Sequence, residues 1–219
     1  MDDPFGIAFD ELPAEIAVFP LPGVLLLPGG RLPLNIFEPR YLNMILDCLG
    51  EGRMIGMVQP TEDARDPLPE DIRLEQIGCA GRVVSFAETG DGRLMVSLDG
   101  ICRFDVSREL ENRNGYRRVA ADYSRFAKDM DQDDVTLDRD KLFAVLRHYF
   151  ETKGLQADLQ SMERADDTLL IASLGMLCPF SRQEKQALLG AESFSQMAEI
   201  IISLMEMAAR SDDRSQAKH

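Results

Sequence analysis

The sequence predicts an α+β protein, with strands in its first half and helices in its second. Three observations carry this. Short apolar runs cut by proline and glycine continue to about residue 126. Two turns suited to hairpins, GDG at 90–92 and Asn114-Gly115, lie among them. After the acidic stretch DMDQDD, residues 129–134, the apolar spacing becomes helical. The expected boundaries are therefore a β-rich part over 1–128, a helical part over 129–210 and a flexible polar tail over 211–219.

The elements follow in order. FPLPGVLLLPGGRLPLNIFEPRY, residues 19–41, holds five prolines and three glycines in twenty-three residues. Proline removes a backbone N–H and fixes φ, so it belongs at strand starts, edges and corners. Two short strands are expected between these breaks, Val24 to Leu27 and Leu34 to Phe37. Pro39 suits the first position of a helix, which carries Leu42, Ile45, Leu46 and Leu49 on one stripe and stops at Gly50. Residues 53–58 read as a buried strand and 59–75, acidic and proline-rich, as a surface loop. Strands then flank the GDG turn within 78–106, with Gly100 breaking the second, and 116–126 forms the last strand. In the helical half, 139–153 closes on Gly154, a short amphipathic piece covers 155–163, and 168–177 is nearly all apolar before Pro179. Ser181 with Glu184 has capping-box spacing and opens a helix to Gly190. Ser193 with Gln196 repeats the signature before a helix reaching about Arg210.

Composition excludes several functions. The net charge of −14 repels phosphate backbones, and the short basic cluster Arg117-Arg118 sits among acids, so no nucleic-acid partner is expected. No run of eighteen uninterrupted apolar residues occurs and the N-terminus is acidic, so neither a membrane span nor a signal peptide is expected. Cys48, Cys79, Cys102 and Cys178 are widely spaced and lack a histidine pair, as expected of buried reduced thiols in a cytoplasmic protein. No metal or other cofactor is expected. No phosphate-binding loop, GxSxG or GxGxxG motif is present. His148, between Arg147 and Tyr149 on a helix, reads as solvent-facing or capping rather than as a base.

The opening stretch, then GCAGRVVSF, the DGR turn, SLDGICRFDV and PFSRQEKQALL, resembles the N-terminal substrate-binding domain of Lon proteases. The likeness is closest to free-standing bacterial relatives of that domain and runs from about residue 16 to about 208. It implies a PUA-like β-barrel followed by a C-terminal helical bundle. It also implies a non-catalytic module that binds polypeptide clients or a protein partner, because 219 residues hold no ATPase module and no Ser–Lys protease domain. Two other readings stay open: a scaffold or homo-oligomer subunit docking onto a larger complex, and an enzyme using a cleft between the two halves.

The distinctive polar-aromatic cluster is Phe37, Glu38, Arg40 and Tyr41, at the handover from strand to helix. It reads either as a protein-recognition patch or as structure, with Phe37 in the core, Glu38 at the helix N-terminus and Arg40 paired with an acid. As a patch residue, Tyr41 would be replaceable by alanine with the melting temperature nearly unchanged. Arg103 and Phe104 read as an arginine bridging to another strand and an inward phenylalanine. The apolar run 200–208 reads as a buried helix or as a Met-bearing face for a partner.

Overall fold

The first strand is one that the proline-rich pattern hides. In the computed structural model, which describes residues 6–62, 68–69, 71–131, 135–155 and 158–216, β1 is Glu15–Pro20, with Ile16 and Val18 buried. β2 is Arg31–Ile36, β3 Met54–Pro60, β4 Leu74–Glu88, β5 Leu94–Arg113 and β6 Tyr116–Asp122. They form one mixed sheet in the order β2-β5-β4-β3-β1-β6, antiparallel except for β1 against β3. The 20-residue β5 meets β2 and β4 through its first half and β6 through its second, so the sheet rolls back on itself.

Three expectations are corrected in this half. Residues 24–27 form no strand; they lie between turns at Gly23 and Gly29 and pair with no described strand, yet Leu25, Leu26 and Leu27 are core. Gly100 does not break β5. It permits a close approach: a Cβ there would lie 2.0 Å from the Leu27 carbonyl oxygen. The loop after β3 is also shorter than expected, because β3 reaches Pro60 and β4 starts at Leu74. Its residues Leu68 and Ile72 are buried, while 63–67 and 70 lie outside the described residues. The β5–β6 turn does hold as read, with positive φ at both Asn114 and Gly115, the backbone a two-residue hairpin demands.

Helix α1, Pro39–Gly50, starts with proline at its first turn and buries Tyr41, Met44, Ile45 and Cys48. After β6 the chain makes a 3₁₀ segment over Ser124–Met130, where a strand end and an acidic linker are expected. Then come α2 (Arg139–Lys153), α3 (Leu159–Arg164), α4 (Asp167–Leu177), α5 (Arg182–Gly190) and α6 (Phe194–Gln216). Asp138, Asp158 and Asp166 cap α2, α3 and α4 by accepting from backbone N–H groups. Ser181 and Glu184 make the expected capping box. Ser193 accepts from the Gln196 N–H, but the Gln196 side chain accepts from Glu192 rather than from Ser193. α6 continues past Arg210 to Gln216, through much of the expected tail.

Helices α2, α4 and α5 all pack against α6, and α5 lies on β4. One apolar cluster joins Leu25–Leu27, Ile36 and Leu98 to Leu146, Leu174, Leu188 and Ile201, so sheet and helices share a core. In the 200–208 run, Ile201, Ile202 and Met205 are buried and Met207 is exposed.

The seam between the halves is also polar. Lys185 donates to the Gly23 carbonyl at 2.6 Å, and burial lowers the pKa of its ammonium. Arg182 pairs with Glu75 at 2.8 Å. The Gln59 side-chain nitrogen donates to Gln186 Oε1, and Gln186 donates to the Ile77 carbonyl. Arg103 does not bridge to another strand. Only 1% exposed, it grips Asp129 bidentately at 2.6 and 2.8 Å and donates through Nη1 to the carbonyls of Leu189 and Ala191. Phe104 is inward, as expected.

Candidate functional site

Where β1 ends, where β2 runs and where α1 begins, the surface opens into a cleft of about 500 Å³. Its walls are mostly apolar: Phe19 and Leu21 on one side, Leu32 and Leu34 of β2 on the other, with Leu68 and Val24 closing it. Prolines mark where it opens. Pro20 ends β1 and Pro22 precedes the turn at Gly23, so the chain turns out of the sheet there.

Of the four cluster residues, the cleft is lined by Phe37, Glu38 and Tyr41. Phe37 is not core; it is 50% exposed, with the Arg93 guanidinium 5.4 Å from its ring centroid. Tyr41 is core, which corrects the expectation that alanine there leaves stability untouched. It is 4% exposed, and its ring centroid lies 4.2 Å from that of Phe19. Glu38 precedes Pro39 as the helix cap residue, yet its carboxylate makes no side-chain capping bond and instead accepts from Arg40 Nε at 2.9 Å. Arg40 also lies 4.7 Å from the Tyr41 ring centroid and reaches the Leu68 carbonyl at 3.4 Å. The cluster is therefore divided: Phe37 faces solvent, Tyr41 forms the floor, and Glu38 and Arg40 neutralise each other at the rim.

Helix α1 is held in place from its far side. Asp47 accepts from Asn114 and from the Tyr116 hydroxyl, and Glu51 pairs with Arg113, so the β5–β6 hairpin clamps the helix. These hydrogen bonds, from Asn114 first and Tyr116 second, hold the Asp47 carboxyl below its usual range. Burial, and then Asp47, push the Tyr116 hydroxyl up to about 12. A carboxyl with a lowered folded-state pKa contributes stability above its unfolded value and loses it as pH falls through the folded value. Asp47→Asn is therefore expected to melt below the unsubstituted protein at neutral pH, with the gap shrinking toward about pH 3. Thermal melts at the two pH values check this; an equal gap at both would contradict it.

All four cysteines are buried free thiols, and burial raises the pKa of Cys48 and of Cys102 to about 12. His148 is on the exposed face of α2. Among the described residues, no three His, Cys, Asp or Glu side chains are grouped to hold a metal ion, and no helix is long and apolar enough to cross a membrane. Sequence reasoning found Phe37, Glu38 and Tyr41 but missed Phe19, Leu21 and Leu68, which other segments contribute to the lining. The spacing of the prolines at 20 and 22 was the available signal for the first two, whereas nothing local marked Leu68.

A profile of the ATP-dependent protease La (LON) substrate-binding domain matches residues 15–207. Lon protease of Flavobacterium johnsoniae is 32% identical over 98 residues, which are 44% of this chain and 12% of that one. Lon protease 1 of Hydrogenovibrio crunogenus is 23% identical over 203 residues, 90% of this chain and 24% of that one. The chain thus spans only a minor part of the length of these curated relatives. Among solved structures, the Lon N-terminal domain protein from Xanthomonas campestris superposes with a TM-score of 0.61 at 23% identity, covering 86% of this chain and 97% of that one. The N-terminal domain of the Mycobacterium avium complex Lon protease gives 0.57 at 13% identity, covering 88% and 98%. At such identities the likeness is one of fold.

Proposed function

The chain belongs to the LON substrate-binding domain family, and on that premise we propose that it is a non-catalytic module that binds polypeptide segments in the cleft between β1, β2 and α1. The rolled sheet is, on this reading, a PUA-like barrel; the pairing of β6 with both β1 and β5 supports it. The observation that carries the function is the apolar cleft with a half-exposed phenylalanine at its mouth. Large aromatic side chains left in water rather than in the core are frequent anchors of protein contacts. With a net charge of −14, the protein is read as having no nucleic-acid partner.

The test separates Phe37 from Tyr41. Phe37→Ala is expected to weaken binding of an unfolded model protein by about 2 kcal/mol, roughly thirtyfold, while changing stability by no more than about 0.5 kcal/mol. Tyr41→Ala is expected to cost about 3 kcal/mol of stability, because it empties a site packed on Phe19. Raising salt to about 0.5 M should affect binding less than Phe37→Ala does, since the contacts are apolar. Titration calorimetry and urea unfolding measure all three. Normal binding by Phe37→Ala, or binding abolished by salt, would place the site elsewhere.

A further inference from the structure

One wall of the cleft is the edge of the sheet. β2 stands first in the strand order, so only its β5 side is paired among the described residues. Gly100 donates to the Gly30 carbonyl at 2.8 Å. Because an antiparallel ladder alternates, the pairs exchanging hydrogen bonds are then Leu32 with Leu98, Leu34 with Val96 and Ile36 with Leu94. Arg31, Pro33 and Asn35 therefore turn their backbone groups away from β5, toward the open edge. Pro33 fits this independently: having no N–H, it can sit in the middle of the strand only if that position faces outward. The open edge thus offers three carbonyls, of Arg31, Pro33 and Asn35, but only two N–H groups.

The charges beside β2 and α1 are compensated in place. Arg31 pairs with Asp99 at 2.6 Å at the start of β2, Arg93 with Asp91 at 2.9 Å near Phe37, and Arg40 with Glu38 at 2.9 Å. None of these three pairs leaves an uncompensated charge beside the β2 edge for a ligand ion. A charged segment would lose hydration there with little return, and the net charge of −14 further disfavours an acidic one. The complementary occupant is uncharged and apolar.

We propose, on the basis of the cleft reading above, that an uncharged apolar polypeptide segment binds as an added strand along the outer edge of β2, its alternate side chains entering the cleft between Phe37 and Leu21. An extended partner gains affinity from main-chain hydrogen bonds and selectivity from every second side chain. Here the edge is richer in acceptors than in donors, so the N–H groups of the bound segment on one side of its backbone carry the pairing.

That asymmetry gives a test that alters the ligand and leaves the β2 edge intact. The probe is a capped, uncharged peptide of about six alternating Leu and Thr residues, the length of an ordinary strand. It is compared with two isomers N-methylated at its odd or at its even positions, with binding to the full chain read by fluorescence anisotropy. One isomer is expected to bind at least about tenfold more weakly than the other, having lost the donors that face β2. The stronger isomer should still lose affinity with Phe37→Ala. Equal binding by the two isomers, whether retained or lost, overturns the added strand. If the unmodified peptide also binds and depends on Phe37, that result leaves the cleft reading standing. Isomer discrimination that ignores Phe37→Ala overturns the placement at β2. No binding of the unmodified peptide overturns both this proposal and the reading on which it rests.

Discussion

Replacing Arg103 by alanine is expected to destabilise the whole chain by about 3–5 kcal/mol, the range for removing one partner of a buried ion pair. Asp129 would be left buried and uncompensated, and the carbonyls of Leu189 and Ala191 would each lose a donor. The loss reaches beyond β5, because these partners lie on the 3₁₀ segment and at the α5–α6 junction. Arg103→Met with Asp129→Leu is expected to recover much of it, since two apolar groups leave no stranded charge between them. Urea unfolding followed by circular dichroism measures each variant. A single Arg103→Ala variant within about 1 kcal/mol of the unsubstituted protein would show that the pair is not what ties the halves together.

Cutting the chain is expected to do more. Residues 1–128 expressed alone should fail to give a dispersed amide spectrum or a cooperative melt. The cut removes every helix after α1 and so exposes the face of Leu25–Leu27, and it also removes Asp129 from Arg103. A buried arginine without its partner and an uncovered leucine run act in the same direction. A well-dispersed spectrum from 1–128 would instead make the sheet an independent domain.

The parts legible in the sequence were those whose signals are local. Ser181 with Glu184 announced a capping box because both halves of that interaction lie within four residues. Asn114-Gly115 announced a turn because the backbone there demands positive φ. What stayed hidden depends on distant partners. Val24 to Leu27 has the composition of a strand, but flanking turns deny it a neighbour. Gly100 resembles a breaker in isolation and becomes necessary only once the Leu27 carbonyl stands beside it. Asp129 looks like one more acid in a polar linker, and only the fold brings Arg103 to it. The candidate site was half legible for the same reason. The cluster at 37–41 is contiguous, while its opposite wall comes from other segments, and no spacing rule distinguishes the exposed Phe37 from the buried Tyr41.

The pairing of β1 with β6 sets a timetable for synthesis. Glu15 faces Ala120 and Val18 faces Arg117, so the first strand, which has β3 on its other side, waits for its second partner until about a hundred positions downstream. At translation rates of about 5–20 residues per second, that wait lasts roughly 5–20 s. Throughout it, the greasy run 21–27 that follows β1 also lacks the helices that will cover it. Such long-range closure slows folding and exposes apolar chain to aggregation. A growing chain of this protein therefore passes through a stage in which it resembles the unfolded, apolar polypeptides that its finished cleft is proposed to hold.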